Sequence, residues 1–444
     1  MNAYPAYKVT EYKWLGDIPA HWNWLFLSQA CYSQEIRNIG NAESNVLSLS
    51  YGRIIRKKDI NFGLVPKDYQ GYQIVDSGNI ILRLTDLQND RVSLRTGLVR
   101  EKGIITSAYT CLAPFQNAEY LQLLLHAYDV QKYFYGLGGG VRQSISFKDI
   151  KYTMIPLPPL EEQDRIARWL DWQTSRIAHY SRVKKREIEC LRELRKAIIS
   201  EAVTSGIDDD VPMKPTEIPW LSKIPDHWKI ERAKALFIKE NRPIHDDDDV
   251  VTCFRDGEVT LRKNRRITGF TESLKEYGYQ GVRLGDLVIH VMDAFAGSVG
   301  VSDSDGKCTP VYSVCTPRKP SETNSYFYAH LLREMARTNY IQSLYRGIRE
   351  RSSNFGFDIF GMQGLPQPPR DEQDRIVAYL DEQCAVIDAA LAKLSREIEL
   401  MDEYKASIIS DAVTGKIDLQ GAEIPDFEPI HDANDEEGTG NEDD

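Results

Sequence analysis

One stretch of this chain occurs twice and limits the folds that the chain can adopt. Residues 160–173 read LEEQDRIARWLDWQ, and residues 370–383, which lie 210 positions later, read RDEQDRIVAYLDEQ. Each copy follows a Pro-Pro pair, and the match continues downstream, where IISEAVTSGID at 198–208 answers IISDAVTGKID at 408–418. A period of this length indicates a duplicated pair of domains rather than a solenoid of short repeats.

Both copies have the features of a long helix. Prolines end the preceding element, acidic residues fill the first turn, where the helix dipole favours negative charge, and Gly206 and Gly415 suit the helix ends. Apolar residues recur at spacings of three and four; in the second copy they are Ile387, Leu391, Leu394, Ile398, Met401, Tyr404 and Ile408. Such a seam requires a partner helix. The sequence therefore predicts two helices of roughly 40 residues, about 60 Å long, that pair as an intramolecular antiparallel coiled coil.

A second repeated signature opens each half of the chain. Residues 14–22 and 220–228 both end in the pattern Ile-Pro-x-His-Trp, with Ile18-Pro19 and Trp22 matched 206 positions later. His21 and His227 are flanked by Pro and Trp at a domain entrance, so we predict structural rather than catalytic roles for them. Beyond each opening, β-branched segments bounded by Gly, Asp and Asn predict strands, and apolar residues at helical spacing predict helices. The strand segments are 45–49, 78–84, 250–254 and 286–292, and the helical ones are 120–135 and 325–345.

The predicted fold class is α+β, with two strand-rich globules alternating with the two long helices in a pseudo-twofold arrangement. The predicted boundaries are 1–157 for the first globule, 158–208 for the first helix, 209–367 for the second globule, 368–418 for the second helix and 419–444 for an acidic tail. Nearly identical helices with dissimilar globules indicate one symmetric helical frame that carries two globules, each of which binds a different target.

Charge and cysteine content narrow the class of protein. Residues 1–365 carry 49 basic and 44 acidic residues, whereas residues 366–444 carry 6 and 22, so the net charge of −11 comes from the C-terminal part. We expect the tail from Leu419 onward to be disordered. The mildly basic remainder suits DNA contact if a partner neutralises further phosphates. Seven cysteines without a C-x-x-C pair predict buried thiols in a reducing cytoplasm and no metal site, and we expect neither a membrane span nor a signal peptide.

These patterns resemble the specificity subunit of type I restriction–modification systems over essentially the whole chain apart from the acidic tail. The paired Pro-Pro-x-x-Glu-Gln-x-x-Ile helix starts, the paired Ile-Pro-x-x-Trp openings and their alternation carry the resemblance. It implies that the globules are target recognition domains, each reading one half of a bipartite asymmetric DNA site. It also implies that the paired helices fix the gap between the two halves.

The resemblance further implies a non-catalytic chain in the prokaryotic cytoplasm. Its helices would dock two modification subunits, which hold S-adenosylmethionine and methylate adenine at N6. Restriction subunits, which use ATP and Mg, would join to translocate and cleave DNA. The chain itself would bind double-stranded DNA but no cofactor, metal or membrane. Its sequence contains neither the Asp/Asn-Pro-Pro-Tyr/Phe motif of adenine methyltransferases nor a G-x-x-x-x-G-K-S/T phosphate-binding loop.

Two alternatives stay open. A stand-alone DNA methyltransferase would use the loop after Asp293, in which Phe295, Gly297 and Gly300 faintly resemble a cofactor loop. Residues 305–307, Asp-Gly-Lys, resemble half a nuclease triad but also a plain turn, which is the more frequent reading. The second alternative is a structural adaptor whose globules bind proteins. The affinity of such an adaptor for DNA would depend neither on the DNA sequence nor on the salt concentration.

DNA contacts are expected from basic and amide-bearing loops of each globule, because Arg and Lys reach guanine O6/N7 while Asn and Gln reach adenine N6/N7. Glycines 138–140 beside Arg142 would let the backbone approach a phosphate. The candidates are Arg53, Arg56, Lys57, Lys58, Arg83, Arg142, Gln143 and Ser144 in the first globule, and Arg255, Arg262, Lys263, Arg265, Arg266, Arg346, Arg349 and Arg351 in the second.

A polar block recurs at both helix starts, where a purely solvated face would have no need to repeat. We interpret it as a set of helix–frame or partner-docking residues rather than as bare helix caps. The docking candidates are Glu162, Gln163, Arg165, Glu372, Gln373 and Arg375, with Asp164 in the same block.

Overall fold

The two repeated stretches each begin a long helix. The structure, a computed structural model, describes residues 3–50, 52–57, 68–85, 87, 94–137, 144–265, 277–344 and 354–429. The long helices are Leu160–Ser205 and Arg370–Val413, and each begins directly after its Pro-Pro pair with acidic residues in the first turn. The predicted mixed fold with two long helices is therefore confirmed.

The chain divides into two compact units. The first unit comprises Met1–Lys185 and Arg396–Asp444, and the second comprises Arg186–Ser395. Each unit therefore contains one strand-rich globule, the start of the long helix that follows it and the end of the other long helix. The boundaries that the sequence predicts between globules and helices stay a prediction.

The first globule is built from antiparallel strands. They are Tyr7–Lys8, Ile18–Pro19, Asn23–Phe26, Cys31–Gln34, Ile36–Arg37, Leu47–Ser50, Arg53–Arg56, Tyr72–Val75, Ile80–Leu82, Thr96–Leu98, Gly103–Thr106, Thr110–Pro114 and Met154–Leu157. Its helical elements are Ala118–Val130 and Phe147–Ile150, with 3₁₀ turns at Leu27–Gln29, Ile39–Asn41 and Tyr133–Gly136. A four-stranded sheet in the spatial order 31–34, 110–114, 80–82, 96–98 forms its centre.

The second globule repeats this plan. Its strands are Met213–Pro215, Lys223–Pro225, Lys229–Arg232, Phe237–Lys239, Val251–Cys253, Val259–Leu261, Gln280–Val282, Leu287–His290, Val299–Val301, Gly306–Cys308, Tyr312–Pro317 and Gly364–Gln367. Its helices are Ala233–Leu236, Ser325–Arg337, Tyr340–Ser343 and Phe357–Phe360, with 3₁₀ turns at Arg262–Asn264 and Ala294–Ala296. The four-stranded sheet has the corresponding order 237–239, 312–317, 287–290, 299–301. The globules thus share a topology that their dissimilar sequences only partly indicate.

The long helices run antiparallel within each unit. In the first unit Lys184 Nζ lies 3.3 Å from Glu397 Oε2, and Ser181 Oγ lies 3.8 Å from Met401 Sδ. In the second unit Arg195 Nε lies 3.1 Å from Asp388 Oδ1, and Arg375 Nη2 lies 2.9 Å from Oδ2 of Asp208, which follows the end of the first long helix. Because residue numbers fall on one helix as they rise on the other, the predicted antiparallel pairing is confirmed inside each unit.

Each unit has its own apolar core, to which both long helices contribute. In the first unit Trp22 and Tyr120 are buried with Ile166 from one long helix and Ile409 from the other. The second core is built in the same way, and its members include Trp228, Phe327, Val203, Ile376 and Leu380. A smaller apolar cluster in each unit lies under a two-stranded hairpin. We call strands Leu47–Ser50 and Arg53–Arg56 the first hairpin, and strands Val251–Cys253 and Val259–Leu261 the second hairpin.

Two details differ from the sequence predictions. All seven cysteines are free, but Cys190 is exposed and Cys384 is half-buried, because both lie on the long helices rather than in a globule. The predicted disordered tail begins too early: Leu419 is only 2% exposed, and Ile424 packs against the core of the first unit. Residues 430–444 lie outside the described residues. No helix in the described part of the chain has the length and apolar character needed to cross a membrane.

Candidate functional site

The repeated polar block joins each globule to the start of its long helix. In the first unit Glu162 Oε1 accepts hydrogen bonds from the Tyr4 hydroxyl at 2.6 Å and from Trp22 Nε1 at 3.1 Å. Its other oxygen, Oε2, lies 2.8 Å from His21 Nε2. The carboxylate is 7% exposed, so three side chains of the globule's opening meet one buried acid.

The second unit repeats this joint. Glu372 Oε1 accepts a hydrogen bond from Trp228 Nε1 at 3.0 Å, and Oε2 lies 2.8 Å from His227 Nε2. Gly206, in the left-handed region at φ 81°, allows close approach, since a Cβ there would lie 3.2 Å from Glu372 Oε1. Both histidines thus hold a helix start, which agrees with the structural role that the sequence predicts for them.

Hydrogen bonding keeps the Glu162 carboxylate ionised. Burial alone would raise its pKa, but hydrogen bonds from Tyr4, His21 and Trp22 outweigh burial and hold the pKa below its ordinary value. The same contact, together with burial, raises the pKa of the Tyr4 hydroxyl far above its usual range, so Tyr4 remains a neutral donor. The joint in the first unit therefore pairs an ionised Glu162 carboxylate with a neutral Tyr4 hydroxyl.

The glutamine that follows each of these acids reaches the globule's helix. Gln163 Oε1 accepts from the Asn117 backbone amide at 3.2 Å, and Gln373 Oε1 accepts from that of Asn324 at 2.8 Å. Each glutamine also donates to the first proline carbonyl of its Pro-Pro pair, at 2.9 and 2.8 Å. The next residue of the block, Asp164 or Asp374, accepts from the Asn117 or Asn324 amide side chain at 2.6 Å.

These asparagines are also the N-caps of the helices Ala118–Val130 and Ser325–Arg337. The block therefore ties two helix starts together in each unit, as the helix–frame interpretation requires. Sequence reasoning missed Tyr4, Asn117 and Asn324, and the only available signal was the shared offset of 207 between the two asparagines.

The arginine of the block lies outside this buried joint. Arg165 is exposed and donates to the Gln420 carbonyl, while Arg375 bonds both carboxylate oxygens of Asp208 at 3.0 and 2.9 Å. The side chains of Glu162, Gln163, Glu372 and Gln373 are buried and bonded within the chain. Partner docking by this block stays a prediction, and the exposed Arg165 and Arg375 are the members with surface to offer.

In the first unit, most described DNA-contact candidates lie on the first hairpin. Arg53 and Arg56 are on its second strand, and exposed Lys57 follows directly. Arg56 pairs with Glu101 at 2.7 Å. Arg83, after strand Ile80–Leu82, and Ser144 are exposed elsewhere in the globule. Lys58, Arg142 and Gln143 lie outside the described residues.

In the second unit, the described candidates gather on the second hairpin. Arg255 lies in its turn and pairs with Asp293 at 3.1 Å, whereas Arg262 and Lys263 follow its second strand. Arg265 bonds Asp256 at 2.7 Å and Glu258 at 2.8 Å, on either side of the turn. Arg266, Arg346, Arg349 and Arg351 lie outside the described residues. The structure thus places basic residues on equivalent hairpins that the sequence shows only as scattered charges.

Paired glycines seat each hairpin on its globule. A Cβ at Gly97 would lie 2.7 Å from Leu49, and one at Gly103 would lie 2.5 Å from the Asn45 carbonyl. In the second unit, a Cβ at Gly300 would collide with the Gly257 carbonyl, and one at Gly306 with that of Asp249. Both pairs share an offset of 203, which is the sequence signal that could have revealed them.

The two motifs behind the enzyme alternatives serve this packing. Asp293 precedes a 3₁₀ turn that ends at Gly297 with φ 94°, where a Cβ would lie 2.8 Å from the Arg255 carbonyl. The loop is therefore pressed against the second hairpin. Asp305 accepts from the Leu284 amide at 2.8 Å, directly before the strand Gly306–Cys308. Its carboxylate stabilises a turn, which fits the plain-turn reading.

One group of possible metal ligands occurs among the described residues. Ligand atoms of His245, Asp247 and Asp248 lie within 4.8 Å of one another. The Arg283 guanidinium lies 3.1 Å from His245 Nδ1 and 3.2 Å from Asp248 Oδ1. A positive charge thus already accompanies this group, and nothing further points to a metal there.

Comparison with known proteins gives a consistent picture. Residues 68–189 match the family described as the type I restriction modification DNA specificity domain. The type I restriction enzyme EcoBI specificity subunit of Escherichia coli is 24% identical over 310 residues, covering 64% of this chain and 62% of that protein. The MjaVIII specificity subunit of Methanocaldococcus jannaschii is 33% identical over 90 residues, 20% of this chain and 19% of the relative. The chain thus matches less than two thirds of the length of these relatives.

Solved structures show the same fold. A chain from a study of complex assembly and conformational transition of the type I R-M system aligns with a TM-score of 0.65 and 17% identity, covering 90% of this chain and 99% of that one. The HsdS subunit from Thermoanaerobacter tengcongensis aligns with a TM-score of 0.52 and 18% identity, covering 92% and 100%. At these identities the likeness concerns the fold alone.

Proposed function

We propose that this chain, whose residues 68–189 match the type I restriction modification DNA specificity domain, supplies the DNA sequence specificity of a type I restriction–modification complex. The observation that carries the proposal is the contrast between the joints and the hairpins. The joints around Glu162 and Glu372 use the same atoms at nearly the same distances. The two hairpins share a position in the fold but carry differently placed basic residues. Equal frames with unlike hairpins suit the recognition of two unlike DNA half-sites.

The hairpins have the chemistry that such recognition needs. Several of their arginines and lysines are paired with exposed carboxylates, as Arg56 is with Glu101 and Lys263 is with Asp249. Exposed ion pairs of this kind contribute little to stability, so a DNA phosphate can replace the carboxylate at low cost. Released arginines can then contact phosphates or guanine edges in the major groove.

The proposal includes the partners of the chain. Two copies of one modification subunit, which holds S-adenosylmethionine, would dock on the repeated helical frame, and restriction subunits that use ATP and Mg would join them in the prokaryotic cytoplasm. The chain itself would carry no catalytic residue and no cofactor. A frame that presents the same residues twice, Arg165 and Arg375 among them, supports a partner that binds twice.

Selection from a randomised duplex pool by the complex with its modification subunits tests the proposal. We expect a split, asymmetric site with an unspecified gap. A single contiguous site would contradict the two-reader account, and DNA affinity that ignores sequence and salt would favour the protein-binding adaptor. Methyl transfer from S-adenosylmethionine by the isolated chain would favour the stand-alone methyltransferase.

A further inference from the structure

The two hairpins differ in what lies beneath their turns. The N-caps Asn117 and Asn324 mark equivalent helix starts, and the residues nine positions later are His126 and Arg333. Both positions face the hairpin of their own unit. The second unit therefore has an arginine where the first has a histidine.

Arg333 contacts the turn of the second hairpin. A Cβ built at Gly257 would lie 2.5 Å from Nη1, 2.6 Å from Cζ and 2.7 Å from Nε of Arg333, so the guanidinium covers this glycine face-on. Gly257 is at φ 91°, a conformation that side chains other than glycine rarely adopt. The turn thus has a backbone shaped to receive the guanidinium.

The rest of this turn is also held firmly. The Arg265 guanidinium lies 4.2 Å from the centre of the Phe254 ring and bonds Asp256 and Glu258. The Phe254 backbone amide donates a hydrogen bond to the Glu258 carbonyl at 2.8 Å. With one arginine on each side, the second hairpin has a defined position before any ligand arrives.

The first hairpin instead overhangs a cavity. The cavity has a volume of about 400 Å³, and its walls include Gly52, Ile54, Leu94, His126, Leu170 and Ile409. It therefore separates the hairpin that carries Arg53 and Arg56 from the helices of the frame. The His126 ring makes no hydrogen bond in the part of the chain that the structure describes. At Gly52, the glycine of the first hairpin's turn, a Cβ would lie 3.5 Å from Leu94 Cδ2. An aliphatic side chain in ordinary van der Waals contact therefore stands where the second turn has the Arg333 guanidinium.

We propose that Arg333 is a positioning residue that holds the second hairpin in its DNA-reading position, whereas the first hairpin, which has no such residue above its cavity in the described part of its unit, opens more easily and becomes fully ordered when DNA binds. The DNA part of this inference rests on the proposed function. The seating of the hairpins does not, because it concerns the free protein. A preorganised hairpin loses little conformational entropy when DNA binds. A hairpin that becomes ordered on binding loses more, and this loss lowers its contribution to the affinity.

Reciprocal substitutions at the two positions test the seating. Hydrogen exchange of the full chain without DNA would be followed for both hairpins in the wild type, in Arg333→His and in His126→Arg. We expect exchange in the second hairpin to become about tenfold faster in Arg333→His, because local opening becomes easier. We expect exchange in the first hairpin to become about tenfold slower in His126→Arg.

The first unit has room and countercharge for the new arginine. Glu119, which pairs with Arg100 at 2.6 Å, and Asp171 line the same cavity, and a carboxylate can accept a further hydrogen bond from a guanidinium. Lys405 also lines it, and its counterpart 210 positions earlier, Arg195, already stands beside Arg333 in the second unit. Arg232→His and Val130→Arg, which change exposed residues in the same units, are the matched controls and should leave both hairpins unaltered.

The outcomes separate this inference from the proposed function. Unchanged exchange of the second hairpin in Arg333→His, or of the first in His126→Arg, would overturn the inference even if the complex selects a split DNA site. If exchange changes as expected, DNA binding by the wild type should slow exchange in the first hairpin and hardly affect the second. If DNA slows exchange equally in both hairpins, the DNA part of the inference is overturned. If the complex shows no DNA sequence preference, the proposed function is overturned, but the role of Arg333 in seating the second hairpin stays supported.

Discussion

The carboxylate oxygen Oε2 of Glu162 lies 2.8 Å from Nε2 of His21, across 141 residues of sequence. The same atoms of Glu372 and His227 are also 2.8 Å apart. This contact connects the opening motif of each globule with the first turn of the helix that follows it. Its repetition explains why both motifs recur in the sequence: each is one side of the same joint.

Removing the acid from either joint should destabilise the protein, and more so in the first unit. Glu162→Ala leaves the buried donors of Tyr4 and Trp22 without an acceptor, which costs about 2–4 kcal/mol. Glu372→Ala leaves Trp228 as the buried donor, at about 1–3 kcal/mol. Urea unfolding measures both. The control Glu161→Ala, an exposed acid in the same first turn, should cost less than about 1 kcal/mol, and an equal cost for Glu161 and Glu162 would contradict the joint.

Acid should destabilise the chain through two half-buried histidines, His126 and His330. Burial, with Lys405 for His126 and with Arg333 and Arg195 for His330, lowers the pKa of each to about 4 from an ordinary value of 6.5. Between about pH 6.5 and pH 4 these two histidines bind protons in the unfolded chain but stay neutral in the folded chain. The free energy of unfolding therefore falls as the pH drops through this range. From pH 7 to 5 each histidine should cost about 2 kcal/mol.

Urea unfolding of the wild type and of His330→Gln at pH 7 and pH 5 checks this. The variant should lose less stability between the two pH values, because glutamine does not titrate. An identical loss in both proteins would show that His330 is not the group responsible.

Substitution of a hairpin seat should disturb the hairpin itself. In Gly300→Ala the new methyl group would collide with the Gly257 carbonyl, a backbone atom that cannot turn aside, and we expect a loss of about 1–3 kcal/mol. Exchange in the second hairpin should rise while the first stays unchanged. Gly71→Ala is the matched control, because no heavy atom lies within 4 Å of a Cβ there. A Gly300→Ala protein as stable as Gly71→Ala would refute the seat.

Basic residues of the first hairpin should govern the salt dependence of DNA binding. Arg56→Ala and Lys57→Ala each remove a predicted DNA contact. Where that contact is to a phosphate, the slope of log K against log salt should become shallower by about 0.9 per residue. The measurement is a salt titration of the assembled complex on its selected site. Lys196→Ala, an exposed lysine of the first long helix that pairs with Glu193, should leave the slope unaltered. A shallower slope for Lys196 as well would argue against a specific role for the hairpin.

The long helices could be predicted because their seams are local patterns. Ile387 and Leu394, named from spacing alone, are 6% exposed in the structure. The joint could not be predicted in the same way, since Tyr4 and Glu162 meet across 158 residues and one hydrogen bond leaves no periodicity. Docking was the alternative for Glu162 and Gln163 because repetition alone does not distinguish a buried joint from a surface.

The hairpins were harder to predict for a different reason. The sequence indicates strands near Leu47 and Val251, but the glycines that seat them read as ordinary turn residues until their close approaches are known. The DNA-contact candidates follow from the chemistry of single side chains, which does not report position, so Arg83 and Ser144 lie away from the hairpin that holds Arg53 and Arg56.

Replacement of residues 23–150 by the corresponding segment of another specificity subunit, followed by sequencing of methylated adenines in cells that express the complex, tests the central claim most directly. The account predicts that one half-site changes while the other half-site and the gap between them stay the same. A change in both half-sites, or in neither, would contradict the claim that each unit reads its own half of the DNA.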